Sequence, residues 1–583
     1  MENTLTISNA DTLFDVYGGY TIGGTSATAS ENTLTISNAV TIESVYGGFA
    51  YGGTSGTASE NTLTISNADT LYDVYGGYAE GGTSGTASEN TLTISNADTI
   101  EVVYGGYAFG VGSATASENT LTISNADTID YAYGGMAESY NDVSTASYNT
   151  ITFRDVETTG YVFGGLATSN TGSATAEENS IGIEGNSTTI SGTIYGGLAV
   201  SGGLTTIKAT KNSLTISGSP TLNNANLTGG YAFSSSISGG AIVTATNNAL
   251  TISGSPTLNN ANLTGGFAYS ASTSGGAVVT ATNNALTISG SPTLTDANLY
   301  GGYVRAPSAT AITATNNAVT ISGTPILTGA NIFGGLITGS GDAVSGNSLT
   351  LRTSGRSVNS ISNFEYLKFY LPNAIADGDT VMAANTADID NSIVSVTVES
   401  GPSSLKIGDR VKLIEGGVTA NIVSKGEELV GLVMYDFDVA VNNSDLIATL
   451  SGAKANETTK SLSEGFAAGL SGLNQTADLF TGAALTNAVE AVGSNLAGGV
   501  IWAPFMAMAG GTVRHETGSH VDYSGVSMVL GVSAGVGFQS GQAVFGAFAE
   551  VGRGNYETYN FFPSVGDVWG EGDTNHLGGG IMA

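Results

Sequence analysis

Residues 61–89, NTLTISNADTLYDVYGGYAEGGTSGTASE, decide the fold. Leu63 and Ile65 alternate with Thr62, Thr64 and Ser66, the period of a half-buried strand. Val74, Gly76 and Tyr78 form a second period-two run, and the TASE stretch is a third. Turn residues separate them: Asn-Ala-Asp, then Gly-Gly-Thr-Ser, and Gly-Ser-Pro in later copies. NTLTIS begins at Asn3, Asn32, Asn61, Asn90 and Asn119, a period of 29. Degenerate copies start at Asn149 and Asn179, followed by Asn212, Asn248, Asn284, Asn317 and Asn347, with the period reaching 33 and 36 before returning to 30. Eleven units carry an apolar residue, a variable one, Gly-Gly and a large apolar residue, the last being Ile332-Phe333-Gly334-Gly335-Leu336.

Three short strands per repeat make one coil of a parallel β-helix, read here as right-handed. One coil cannot bury its own apolar face, but coils stacked about 4.8 Å apart can, so eleven would build a rod on the order of 50 Å long. A WD40-type propeller needs longer repeats of about 40–45 residues. The twelve repeat-opening asparagines are expected to stack as an amide ladder along a corner. Gly-Gly permits a sharp bend or a close backbone approach. Tyr17, Tyr46, Tyr75, Tyr104 and Tyr133 are expected to stack in one column, opposite in strand parity to Tyr20, Phe49, Tyr78 and Tyr107.

Composition narrows the function. The chain has 583 residues, 48 acidic and 15 basic, for a formal charge of −33, yet only 11% of residues are charged. The 84 glycines follow no collagen period, and 41% apolar content argues against simple disorder. A polyanion needs a basic face, so nucleic acid is excluded as a partner. There is no Cys, which removes disulfides, thiol catalysis and Cys-ligated zinc. The only histidines are His515, His520 and His576, so the first 514 residues can hold no Ser-His-Asp, Cys-His or His-metal site. Residues 1–153 contain 17 acids and no Lys or Arg.

Two columns invite a functional reading. Glu31, Glu60, Glu89 and Glu118, and likewise Asp11, Asp69, Asp98 and Asp127, fall at equivalent positions, where a cation such as Ca²⁺ would relieve their repulsion. The alternative, a solvated face, is preferred because the calcium-binding GGxGxDxUx repeat is absent. The tyrosine column is either a stacking platform for sugars or cross-coil packing, and packing is preferred. No catalytic, cofactor-binding or metal-binding residue is assigned, no cofactor is expected, and the chain is read as a non-enzyme: it has no G-x-S-x-G, P-loop or HExxH.

The repeat occupies residues 1–350. From 351 to 450 it is lost, Lys and Arg reappear, and this segment is placed to cap the last coil. In 451–498 lies a helix over 458–492, with Leu462, Phe466, Leu470, Leu473, Ala477 and Phe480 at spacings of three and four, and a slim face at Gly465, Gly469 and Gly472. Within 499–583 the strand candidates are 500–511, 523–538, 542–552 and 575–583. Val526, Met528, Leu530, Val532, Ala534, Val536 and Phe538 alternate with mostly small residues, the pattern of a transmembrane β-strand with its apolar side to lipid.

TKSLSEGFAAGLSGLNQTADL (459–479), WAPFMAMAGGTVRHETGSHVDYSGVSMVLGV (502–532), GAFAEVGRGNYETYN (546–560) and GEGDTNHLGGGIMA (570–583) resemble the translocator domain of monomeric (type Va) autotransporters. FEYLKFYLP and GDTVM in the cap look like the passenger end of that family. The resemblance implies an all-β protein: a β-helix passenger, a short linker helix plugging the pore, and an incomplete outer-membrane β-barrel. It implies outer-membrane lipid and the outer-membrane assembly machinery as partners of the barrel. The passenger would stand at the surface of a Gram-negative-type cell or be released, acting in adhesion or aggregation on a host, glycan or self-association ligand. A purely structural surface layer and a β-helical carbohydrate-active enzyme are the alternatives. Met1 opens directly into a repeat without a signal peptide, and four strands stand where the family has twelve, so the expectation is a fragment truncated at both ends. A trimeric autotransporter is disfavoured because no heptad stalk precedes the strands.

Overall fold

The structure, a computed structural model, describes residues 2–185, 189–190, 192–222, 224–399, 403–419, 422–424, 433–455, 460–493, 499–538, 541–562 and 566–583. Two compact units emerge, Met1–Val430 with Tyr435–Ala453, and Gly431–Met434 with Lys454–Ala583.

The first unit is a parallel β-solenoid of about 14 turns. Equivalent residues of successive repeats pair in register, as in Thr33 with Thr62, Thr62 with Thr91 and Thr91 with Thr120. Alternation does what the sequence implies: Leu63, Ile65, Leu71 and Val74 are fully buried, and the threonines between them face out. One expectation needs correcting. In the second to fifth coils the first two runs are not separate strands but one, as in Thr62–Gly81, kinked at Asn67 with φ 54°. Asparagine adopts this left-handed conformation at low cost, so the chain turns a corner without leaving the sheet. Where Gly-Ser-Pro replaces Asn-Ala-Asp the run does split, into Ala249–Ile252 and Asn262–Ser270.

The third run of each coil forms its own parallel sheet of ten strands, from Ser26–Ser30 to Ala311–Thr315. The interior accordingly has two kinds of apolar cluster. One is large and aliphatic, containing Leu34, Ile36, Ile42 and Val45. The other is thin and made of alanines such as Ala58, Ala79, Ala87 and Ala108.

The asparagine ladder lies inside, not along an outer corner: Asn61, Asn90 and Asn119 are fully buried. The Nδ2 of Asn90 donates to Oδ1 of Asn119 at 2.9 Å and to the Ala58 carbonyl at 3.0 Å. Its Oδ1 accepts from the backbone N–H of Asn61 at 3.1 Å and from Nδ2 of Asn61 at 2.9 Å. Every hydrogen-bonding site of the amide is filled, which is the condition under which a polar group can sit in a core without a large desolvation cost. The paired glycines make room for it. A Cβ on Gly77 would lie 2.4 Å from Nδ2 of Asn90, and one on Gly76 would lie 2.3 Å from the Gly105 carbonyl oxygen of the next coil. Gly-Gly is therefore set by close approach on both sides.

The parallel stack outlasts the sequence repeat. Ser348–Arg352, Tyr366–Leu371 and Ile393–Val398 pair in parallel, as do Arg356–Ser362, Thr380–Asp388 and Arg410–Glu415. Large side chains such as Phe364 and Phe369 fill the core here. Asp445–Ala455 then pairs antiparallel with Arg410–Glu415, a reversal that ends parallel stacking along that strand.

In the second unit a helix, Lys460–Leu479, continues through a π-helical turn, Phe480–Ala484, into Leu485–Val492. Four antiparallel strands follow: Val500–Glu516, His520–Phe538, Gly541–Phe562 and Gly566–Met582. Each runs past its sequence-derived limits, because the polar residues that broke the alternation still pair within the sheet. Over its first turns the helix packs by a different face than its apolar spacing suggests, although Phe480 of that spacing does stack on Phe548 of the sheet at 4.0 Å. Phe466 is 72% exposed, and Leu470 and Leu473 are exposed too. The slim side meets the sheet instead: a Cβ on Gly465 would lie 2.6 Å from the Tyr556 hydroxyl, and one on Gly472 would lie 2.7 Å from that of Tyr523. The side chain of Leu462 lies outside the described residues.

Candidate functional site

The acidic columns come first. Glu31, Glu60, Glu89 and Glu118 occupy left-handed turns with φ of 57–59°, immediately before the ladder asparagines. The Glu31 carboxyl is held above its usual range by a hydrogen bond to Glu2 and by the charges of Glu2 and Glu60. Among the described residues no three carboxylate or imidazole groups come together in a way that would hold a metal ion. Further along, Lys211 takes the same position in its coil and pairs with Glu178 at 2.6 Å, so this column changes sign.

The aromatic column is longer than the sequence implied and differs in parity. Tyr17 and Tyr20 do not point to opposite faces; their centroids are 4.7 Å apart, edge to face. Gly18 and Gly19 are both buried, which shifts the alternation by one and returns Tyr20 to the side of Tyr17. Ring contacts then run without a break through all eleven coils. Tyr17, Tyr46, Tyr75, Tyr104 and Tyr133 stack at 4.7–4.9 Å, and Phe163 and Tyr195 follow at 5.0 and 5.7 Å. At Tyr195 the path crosses to Tyr231 at 5.2 Å, passes Phe267 and Tyr303 in steps of 4.6 Å, and ends through Tyr300 at Phe333. Rings held nearly parallel at this spacing cover one another's faces. A sugar ring needs an open aromatic face, so along the column only edges and hydroxyls are on offer. Burial pushes the Tyr46, Tyr195 and Tyr300 phenols up to about 12, and raises Tyr75, Tyr104 and Tyr231 further.

A third surface went unread in the sequence. The outward side of the ten-stranded sheet is mostly small hydroxyls, with Thr28, Thr57, Thr86, Thr115, Thr145, Thr175, Thr244, Thr280 and Thr313 in register, interrupted by Lys208 and, in the later strands, by exposed Ile242 and Val278. Only Glu177 and Lys208 are charged on these ten strands, in a chain with 48 acids. The TASE and TATN repeats contain this signal, but it emerges only when the third run is set in its own sheet.

In the C-terminal unit the side of the sheet under the helix is mixed, an apolar cluster around Leu479, Phe505 and Val529 lying beside polar contacts. Beneath the helix, Thr476 Oγ1 donates to Ser527 Oγ at 2.8 Å and contacts His576 Nε2 at 2.6 Å. Ser533 Oγ donates to the Ala488 carbonyl at 2.8 Å, and Ser471 bonds to His515. The opposite face of the same sheet is apolar and open. Met508, Met528, Val551 and Leu577 form one cross-strand row, and Pro504, Val532, Ala547 and Ile581 another. Trp502 is 70% exposed and Ile581 89% exposed. Towards one end the face turns polar, through Thr512, Ser524, Asn555 and Asp573 in one row. Arg514 clasps Asp522 there through two hydrogen bonds of 2.6 and 2.5 Å. No helix among the described residues is long and apolar enough to cross a membrane, which says nothing of crossing by strands.

Compared with known proteins, the chain matches no protein-family model and no curated sequence.

Proposed function

We propose that the protein is an autotransporter-type outer-membrane protein. In this reading the four C-terminal strands are a stretch of membrane barrel wall, the glycine-sided helix threads the lumen, and the solenoid is displayed at the cell surface or released from it. The observation that carries the reading is the apolar outer face of the C-terminal sheet. It spans residues 500–508 of the first strand and 526–538 of the second, against the about 9–11 residues a tilted strand needs to cross a bilayer. Serine, threonine and histidine face the helix side, as they would in a polar lumen. Four strands close no barrel, whose smallest form has about eight, so the edge strands Val500–Glu516 and Gly566–Met582 would pair with further strands. Outer-membrane lipid and the assembly machinery are then the partners of this unit.

For the solenoid we propose adhesion or aggregation without catalysis, through the neutral Ser/Thr face. A regular lattice with only two charges suits a regular, uncharged partner such as a glycan or another copy of the solenoid. The reading is tested by expressing the chain behind an export signal in a Gram-negative host, with its last strand continued by enough further barrel strands to close the sheet. Expected are recovery in the outer-membrane fraction and digestion of the solenoid by protease added to intact cells. A soluble periplasmic product would sink it. Paired Thr86→Asp and Thr115→Asp changes should reduce cell clumping or glycan capture; unaltered behaviour would favour a purely structural surface layer.

A further inference from the structure

The first turn of the helix meets two strands in a cluster more elaborate than packing requires. Glu464 is 2% exposed and Asn560 1% exposed. Asn560 Nδ2 donates to Glu464 Oε2 at 2.5 Å, while Lys460 Nζ lies 3.5 Å from Glu464 Oε1. Thr517 Oγ1 donates to that same Oε1 at 2.5 Å. Lys460 Nζ also donates to Ser519 Oγ at 3.2 Å, and the Ser519 hydroxyl donates to Asn560 Oδ1. One buried carboxylate thus touches both an amine and the amide nitrogen of a side chain whose carbonyl oxygen is already held by a hydroxyl.

We propose that Lys460 and Asn560 become joined by an intramolecular isopeptide bond, with Glu464 carrying the protons. Glu464 takes a proton from the Lys460 ammonium, and the free amine attacks Cγ of Asn560. The new N–C bond forms as the C=O π pair moves to Oδ1, where Ser519 donates to the developing oxyanion. Glu464 passes its proton to Nδ2, the C–Nδ2 bond breaks, and ammonia departs, taking up the proton left by the attacking nitrogen to become ammonium. Lysine ammonium and asparagine amide thereby become a secondary amide and ammonium, with Glu464 again a carboxylate. No oxidant, reductant or metal is needed. The reaction is ordinarily slow because amide nitrogen is a poor leaving group. Holding nucleophile, proton carrier and leaving group together is what makes it accessible, since well-oriented intramolecular reactions reach effective molarities of about 10⁵–10⁸ M. The bond would fasten the start of the helix to the third strand of the sheet. It concerns the C-terminal unit wherever that unit resides, so it stands or falls separately from the membrane reading.

The test is the intact mass of the folded full-length chain. Expected is a mass lower than that of the sequence by one ammonia, and a tryptic digest containing a branched peptide that joins the segments around Lys460 and Asn560, with no cleavage after Lys460. Glu464→Gln and Lys460→Arg should each restore the full mass. If Glu464→Gln fails to fold, Lys460→Arg, which keeps the positive charge, still serves as the unlinked control. A wild-type folded chain at full mass overturns the proposal, and a link that survives in Glu464→Gln overturns the role of Glu464.

Discussion

Inside the solenoid, asparagine amides lie buried between aliphatic and alanine clusters while threonines face outward. In the C-terminal unit, serine, threonine and histidine are enclosed beneath a helix while Trp502, Leu530, Leu577 and Ile581 face outward. Both units are built from alternating strands, so strand patterning alone does not say which side is the core. In the solenoid, coil stacking supplies a complete interior of its own, and the asparagine amides enter it with every hydrogen bond made, although the buried hydroxyls of Thr159, Ser234 and Ser272 find no partner among the described residues. In the C-terminal sheet, the outward apolar face has no protein partner among the described residues, and the enclosed face combines an apolar cluster around Phe505 and Val529 with hydroxyl and imidazole groups that bond to the helix. The first arrangement suits water; the second is the one the proposed barrel wall would need, with lipid outside and a hydrated lumen within.

The sharpest way to break this comparison is to place the same charge on an outward position of each unit. Leu530→Arg should cost about 2–4 kcal/mol if that face meets the bilayer midplane, read as lost outer-membrane assembly. Thr64→Arg, outward on the solenoid, should stay within about 0.5 kcal/mol in thermal unfolding. Equal tolerance at both sites would dissolve the contrast. Next in size, Asn90→Ala leaves the ladder partners on Asn61, Asn119 and Ala58 unmatched, and a loss of about 2–3 kcal/mol is expected in denaturant titration of the solenoid. Gly77→Ala drives a methyl into the Asn90 amide and should cost about 1–3 kcal/mol, seen as a lowered Tm. The smallest effect at neutral pH lies in the ring column. Unfolded tyrosine titrates near about 10, while Tyr46, Tyr195 and Tyr300 are raised to about 12, so folding favours the neutral phenol. This contribution is intact below pH ~10 and is lost as the pH rises through ~12. Phenolate absorbance should therefore appear together with loss of β-sheet circular dichroism, rather than before it.

Much of the fold was legible because a period of 29 residues is both a sequence signal and a physical one: each repeat must stack on its copy. The Asn3-to-Asn347 column and the Gly-Gly pairs were visible for that reason. Two further ladders had equally regular spacing and went unread. One is the exposed Asn9, Asn38, Asn67, Asn96 and Asn125. The other passes from Asn226 through Asn262, Asn298 and Asn331 to Asn359 and Asn385, and so crosses from the repeats into the segment read as a cap. That continuity was hidden because a stack needs matching strand positions, not matching residues. The parity of Tyr20 was misread because two consecutive buried glycines cannot be told from ordinary alternation in a string of letters. The helix face was misread because apolar spacing was taken to mark the buried side. Over the first turns the partners are Tyr523, Tyr556 and polar side chains, so small residues pack there, whereas further along Leu479 and Phe480 pack among Phe505, Val529 and Phe548.

By itself, then, the sequence determined the repeat, the strand alternation, the glycine and asparagine columns, and the change of character after residue 350. Each of these is local or periodic, and a period needs no knowledge of what lies across the molecule. Only the tertiary structure decided where the asparagine amides point, that the ring column runs unbroken from Tyr17 to Phe333, that the third run forms a neutral face of its own, and that Lys460, Glu464 and Asn560 meet. Those contacts join residues dozens to a hundred positions apart, and the closure of each coil and the seating of the helix bring them together.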